Sequence, residues 1–202
     1  MELLSLMEII GTVAFAVTGA LTAIEKDLDH YGILFMGFMT AVGGGILRDM
    51  IIDDGLPATF VNPLYAIISI VTSIVVIIFY KYILHMDRLI TLCDAIGLAA
   101  FSAIGCKVAT VHHFDQYFLI TTLALLTGTG GGMIRDVCAG NIPFVLEKEV
   151  YAVASLAGAI AYIACYKSLG IGVSMYICCF VTFAIRMFCV KKNIHLKKVE
   201  KE

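Results

Sequence analysis

Two Arg-Asp pairs interrupt otherwise lipid-like sequence, Arg48-Asp49 and Arg135-Asp136, each set three residues after a glycine triplet, Gly43-Gly44-Gly45 and Gly130-Gly131-Gly132. An ionisable side chain at bilayer depth costs at least about 2.5–3.5 kcal/mol on insertion scales, so it pairs, faces water or snorkels to the headgroups. Neighbours at i and i+1 point away from each other on a helix, which sends each arginine towards a more distant acid. Glu8 and Asp94 are the candidate partners, being the acids that precede two similar helical segments. The alternative is that each Arg-Asp simply ends its span. Charges of this kind suit a path for ions or polar solutes.

Catalytic chemistry finds less support. No GxxxxGK[ST] phosphate loop occurs, and Gly128-Thr129-Gly130-Gly131-Gly132 lacks the spacing, strand and acid of a dinucleotide turn. No nucleophile–base pattern stands out, so the expectation is not an enzyme, with no cofactor and no metal. His112-His113 reads as a solvated pair. The seven cysteines contain no CxxC, lie mostly in apolar stretches and read as packing thiols.

Each glycine in a helix interior costs about 1 kcal/mol relative to alanine, and packing alone rarely calls for three in a row. They serve either close helix approach or a kink or break whose freed carbonyls line water or protein. The same lesion in both halves of a chain points to the binding or conduction site. Gly43, Gly44, Gly45, Gly130, Gly131 and Gly132 therefore mark the expected site in either role.

The elements that must hold these residues follow from composition. Hydrophobic residues make up 60% of 202 and charged residues 15%, with a mean hydropathy of +0.95, against about 45–50% and about 25% in soluble domains. No Asp, Glu, Lys or Arg occurs in residues 9–24, 30–47, 55–80, 95–106, 116–134, 150–166 or 168–185. A crossing helix needs about 20 residues, and the short window near Gly97 reaches that length with Leu89 to Cys93 added. Runs such as residues 67–78 do not alternate as barrel strands would, so the spans are seven helices. Met1-Glu2-Leu3-Leu4 lacks a positive leader region, and the first segment is expected to remain as a helix. A net charge of −2 gives no reason to expect a nucleic-acid partner.

Lys26, Lys81, Arg88, Lys148 and the tail lysines Lys191, Lys192, Lys197 and Lys198 fall on one side of the spans; Arg48, Lys107 and Lys167 fall on the other. Basic residues stay cytoplasmic, which predicts an external N-terminus and a cytoplasmic C-terminus.

The segment from Glu8 to Gly19 (EIIGTVAFAVTG) aligns with Asp94 to Gly105 (DAIGLAAFSAIG), and GGGILRD aligns with GGGMIRD. Pro57 then matches Pro143, and Tyr65-Ala66 matches Tyr151-Ala152. Chance agreement at one GGGxxRD site is on the order of one in a million at ordinary residue frequencies. Each unit holds three spans, an odd number, so the second copy enters the membrane inverted. The fold expected is an all-α membrane protein: repeat 1–86, inverted repeat 87–168, a seventh helix 169–190 in a peripheral or assembly role, and a basic tail 191–202.

These residues, the EIIGTVAFAVTGA opening, its DAIGLAAFSAIGC echo and the doubled GGGxxRD, resemble the bacterial branch of the trimeric intracellular cation channels, also described as a glycine transporter domain present twice per chain. The resemblance implies a homotrimer in the cell (inner) membrane, with a pore for K⁺ and Na⁺ through each protomer. Second and fifth helices kinked at Gly43, Gly44, Gly45 and at Gly130, Gly131, Gly132 would line it, and Arg48, Asp49, Arg135 and Asp136 would stand beside it as lining or latch charges. Ala154, Gly158 and Ala161 offer a small-residue face for the trimer, and the lysine tail suits anionic lipid. A secondary transporter of glycine or a similar amino acid is the alternative, since inverted repeats suit alternating access equally well.

Overall fold

A computed structural model describes residues 2–53, 55–83, 86–114, 116–147 and 150–192. Every regular element among them is helical: α1 (Glu2–Glu25), α2 (His30–Ile52), α3 (Ala58–Val61), α4 (Leu64–Phe79), α5 (Met86–Val111), α6 (Tyr117–Cys138), α7 (Phe144–Glu147) and α8 (Val150–Lys192), with a 3₁₀ turn at Tyr80–Tyr82. Lys148, Lys197 and Lys198 lie outside the described residues, as does most of the basic tail.

Local chemistry sets the ends. The Asp29 carboxylate accepts a 2.7 Å hydrogen bond from the Gly32 amide and caps α2. Asp27, Asp53 and His113 take left-handed φ of 55°, 55° and 59° just beyond α1, α2 and α5, a conformation that short polar side chains tolerate at helix ends.

Six apolar helices are long enough to cross a bilayer. The last, Tyr151–Lys192, counts 42 residues and would run about 63 Å if straight, twice the hydrocarbon thickness. It is broken at Gly170, whose φ of 79° and ψ of 164° are non-helical. Its two limbs therefore make two spans, and the spans number seven.

The helices are inverted in polarity relative to those of a soluble protein. On α4, Ser69 and Ser73 are fully buried while Ile67, Val71, Ile74, Val75 and Ile78 face outward. Each serine hydroxyl is satisfied by a carbonyl of its own helix, Ser73 by Ser69 at 2.8 Å. An outward apolar face of this extent is stable only where lipid or another protein meets it.

The two repeats meet along α2 and α6, and here the glycines take on a role other than breaking the helix. Both helices run unbroken through their triplets, and of the roles open to Gly43–Gly45 and Gly130–Gly132 the close approach of helices is the one visible here. A methyl group on Gly44 would run into the Thr127 carbonyl, and one on Gly131 into the Thr40 carbonyl. Thr40 and Thr127 are themselves equivalent repeat positions, so the contact is reciprocal. Gly130 packs somewhat less closely, since a Cβ there would lie 3.0 Å from Gly44 Cα. Absent side chains let two backbones touch.

A second reciprocal contact lies beside the first. Phe15 and Phe101, equivalent in the repeats, meet with ring centroids 5.2 Å apart. Phe15 lies over Gly97 and Phe101 over Gly11, where a larger residue would strike the rings.

The small-residue face of α8 is directed inward. Ala154 is fully buried, and Gly158 packs against Thr182 and the Cys178 carbonyl of the limb beyond Gly170. Gly158 thus joins the two limbs of α8 within the protomer, while Ala161 is half-buried.

Candidate functional site: two charge clusters

Because successive spans alternate in direction, Glu8 and the end of α2 share one end of the bundle, and Asp94 and the end of α6 share the other. Each end carries one copy of the motif.

At the first end, Arg48 turns back on its neighbour. Its Nε and Nη2 each lie 2.7 Å from Asp49 Oδ1. Asp49 Oδ2 in turn accepts the Ala58 amide at 2.9 Å, which holds the first turn of α3. Glu8 accepts a hydrogen bond from the Tyr65 hydroxyl and makes no ion pair with Arg48 among the described residues. Glu8, Thr12, Gly45, Arg48, Ala58 and Tyr65 instead surround a cavity of about 90 Å³, backed by Phe101 and Ile104. A polar space of that size accommodates several water molecules.

The second end repeats the plan and closes it. Arg135 Nε bonds Asp136 Oδ1 at 2.9 Å, and Asp136 Oδ2 accepts the Phe144 amide at 2.9 Å. Arg135 Nη1 additionally reaches Asp94 Oδ1 at 2.9 Å, and the Tyr151 hydroxyl donates to that same oxygen at 3.2 Å. The Phe144 ring lies 5.1 Å from the guanidinium carbon, a cation–π contact that covers its face. Side-chain exposures are 1% for Arg135, 0% for Asp94 and 2% for Asp136, against 10% for Arg48 and 17% for Asp49.

The adjacent Arg and Asp therefore do pair, contrary to the i, i+1 expectation. That rule describes Cβ directions; the arginine stem is long enough to fold back around the helix end, where the aspartate also caps the next short helix. Of the two candidate acids, Asp94 meets its arginine and Glu8 does not. Breaking a buried pair by removing one partner costs about 3–5 kcal/mol, so the second cluster is a firm closure and the first is not.

Arg186 lies outside the motif reading altogether. It sits on the limb of α8 beyond Gly170, is 4% exposed, and places its guanidinium carbon 4.9 Å from the centre of the Tyr151 ring. The seventh helix is thus no peripheral packing element, because it brings a second buried arginine to the closed cluster. The sequence signal was a single arginine ending an otherwise uncharged window. Thr12, Tyr65, Tyr151, Phe15 and Phe101 also belong to the site, and all stand at or beside the matched repeat positions.

A family model described as Glycine transporter matches residues 5–81 and again 91–167. The chain is 32% identical over 193 residues to the inner membrane protein YadS of Escherichia coli K12, covering 94% of this chain and 93% of that protein. It is 38% identical over 184 residues to the membrane protein YvgT of Bacillus subtilis, covering 90% and 89%. A prokaryotic TRIC channel crystallised in 0.5 M KCl superposes with a TM-score of 0.91 at 32% identity, over 96% of this chain and 99% of that one. A TRIC trimeric intracellular cation channel orthologue from Rhodobacter sphaeroides gives 0.90 at 26% identity, over 96% and 100%. With both halves matched as one domain and nearly the whole chain sharing this architecture, the protein belongs to the prokaryotic TRIC family of channels, a family without enzymatic activity whose repeated domain is the one described as Glycine transporter.

Proposed function

We propose that the chain conducts K⁺ and Na⁺ through a path inside each protomer of a homotrimer. The path runs from the first-end cavity, past Phe101 and Phe15 and the α2–α6 glycine contact, to the second cluster. The observation that carries this reading is the pairing of a cavity bordered by Glu8 and Arg48 at one end with a closed ion-paired cluster at the other. Between them lie an aromatic pair and apolar backbone contacts, the kind of hydrophobic constriction that gates by dewetting. The likeness to TRIC cation channels supports a cation as the permeant species, and the trimeric orthologue among them supports the trimer.

Arginines beside a cation path repel cations unless neutralised. Each here has an aspartate within 2.9 Å, so each acts as a latch with little net charge. No TVGYG-type carbonyl filter is encoded, which favours weak discrimination between K⁺ and Na⁺. The N-terminus is placed outside the inner membrane, with the cavity facing outward and Lys191 and Lys192 at the cytoplasmic face. Basic residues there attract anionic lipid by about 1 kcal/mol each.

Purified protein in planar bilayers tests the proposal. Unitary ohmic K⁺ currents that grow on Phe101→Ala are expected; saturable solute exchange with no unitary current would overturn it.

One observation favours a carrier as the second reading. Glu8 and Arg48 flank one cavity without pairing, so an ammonium and a carboxylate could be held together, as in a glycine zwitterion. Counterflow of labelled glycine, abolished by Glu8→Gln, would decide for it.

A further inference from the structure

Three buried polar atoms of the second cluster have no hydrogen-bond partner among the described residues: Asp94 Oδ2, Arg135 Nη2 and Arg186 Nε. The residues that carry them surround one side chain, Tyr151. Tyr151 donates to Asp94 Oδ1 at 3.2 Å through its hydroxyl and carries the Arg186 guanidinium 4.9 Å from its ring centre. Asp94 therefore has an oxygen to spare, and Arg186 is paired with no acid among the described residues.

Opening the second end requires Arg135 to leave Asp94, which is wholly buried. Glu8 at the first end borders a cavity and can be hydrated. Asp94 has no such recourse, and an uncompensated buried carboxylate is strongly disfavoured. No further helix follows the first repeat to supply another cation at its end, whereas the limb beyond Gly170 follows the second and carries Arg186.

We propose that Arg186 is the replacement partner of Asp94: when Arg135 withdraws, Arg186 moves from the Tyr151 ring to the free Asp94 oxygen, and this exchange of arginines makes the open state of the second end accessible. It rests on the reading of that cluster as a gate. Arg186 is a positioning residue and touches no permeant ion in this role.

Hydrogen–deuterium exchange on the full chain in lipid nanodiscs reads the gate directly. The segment 137–146 includes the Phe144 amide held by Asp136, and its exchange follows the population of the opened state. Arg186→Met should slow exchange there by about a hundredfold or more, the scale expected when a buried charge loses its alternative partner. Arg186→Lys should leave it near the wild-type rate. In an Asp94→Asn background the Arg186→Met change should have no effect, because a neutral side chain needs no replacement cation. Faster exchange in Arg186→Met would make Arg186 a lock and overturn the proposal, as would an equal effect in both backgrounds. Should Asp94→Asn fail to fold, the Lys and Met variants decide alone, and identical behaviour of the two overturns it. Absence of K⁺ current from the wild type would sink the channel reading, while the exchange measurements would still decide the partner exchange.

Discussion

At the first end of the bundle, Ala58 and Thr12 line a cavity; at the second, Phe144 and Leu98 occupy the same repeat positions and fill it. A third difference lies in the acids. Glu8 reaches Tyr65, whereas the shorter Asp94 meets both Tyr151 and Arg135. All else in the motif is shared: the arginine folded onto its aspartate, the aspartate holding the next short helix, the tyrosine on the acid. The same backbone plan thus gives an open and a closed condition through a few changes in side-chain volume and reach. The protein shows, in one molecule, two states of one device.

Breaking that comparison most severely requires removing the acid at each end. Asp94→Asn leaves Arg135 buried with one acid fewer and should destabilise the protein by about 3–5 kcal/mol. Glu8→Gln keeps an acceptor for the Tyr65 hydroxyl beside a cavity and should cost about 1 kcal/mol. Thermal unfolding in detergent measures both, and equal losses would show that the two clusters are alike in strength after all.

Next in size are the middle glycines, where the two ends must behave identically. Gly44→Ala and Gly131→Ala each drive a methyl group into a threonine carbonyl of the opposite helix. Backbone on both sides cannot yield as a side chain could, so overpacking of about 1–3 kcal/mol is expected from each. A marked inequality between the two variants would mean that the α2–α6 contact lacks the reciprocity inferred from it.

Much of this was legible beforehand because duplication writes the same constraint twice. The spans, the inversion and the importance of Arg48, Asp49, Arg135 and Asp136 all follow from charge-free windows and the repeated motif. What stayed undecided was the work of the glycines, since close approach and a helix break call for the same residue. Also hidden was the Arg-to-Asp fold-back, which depends on arginine's length and on a cap formed with a residue eight or nine positions later. Arg186 escaped for a different reason: it has no counterpart in the first repeat, so comparison of the halves could not reveal it.

Exchanging the residues that set cavity size sharpens the contrast. Ala58→Phe should fill the first-end cavity, bring the ring over Arg48 and add about 0.5–2 kcal/mol of cation–π stabilisation. Phe144→Ala should remove the corresponding contact at Arg135 and admit water to the second cluster. On the channel reading, Phe144→Ala raises K⁺ flux several-fold and Ala58→Phe lowers it. Flux from proteoliposomes tests the pair, and flux unchanged in both would detach cavity volume from conduction.

The smallest expected effect concerns the third glycine of each triplet. A Cβ on Gly45 would have only Arg48 Nη2 near it, at 3.8 Å. Gly45→Ala should therefore be tolerated and should gain up to about 1 kcal/mol from helix propensity. At Gly132 the added atom would lie 3.1 Å from the Tyr151 hydroxyl and 3.7 Å from Asp94 Oδ1. That hydroxyl is held by Asp94, its ring is backed by Arg186, and it has little freedom to move. Gly132→Ala should forfeit the propensity gain and come out neutral or slightly destabilised. Opposite signs in the unfolding of these two variants would locate the difference between the ends in how tightly the tyrosine is held. A gain at both positions would show Tyr151 to be as free to move as Tyr65, and the second cluster to be less firmly closed than its ion pairs suggest.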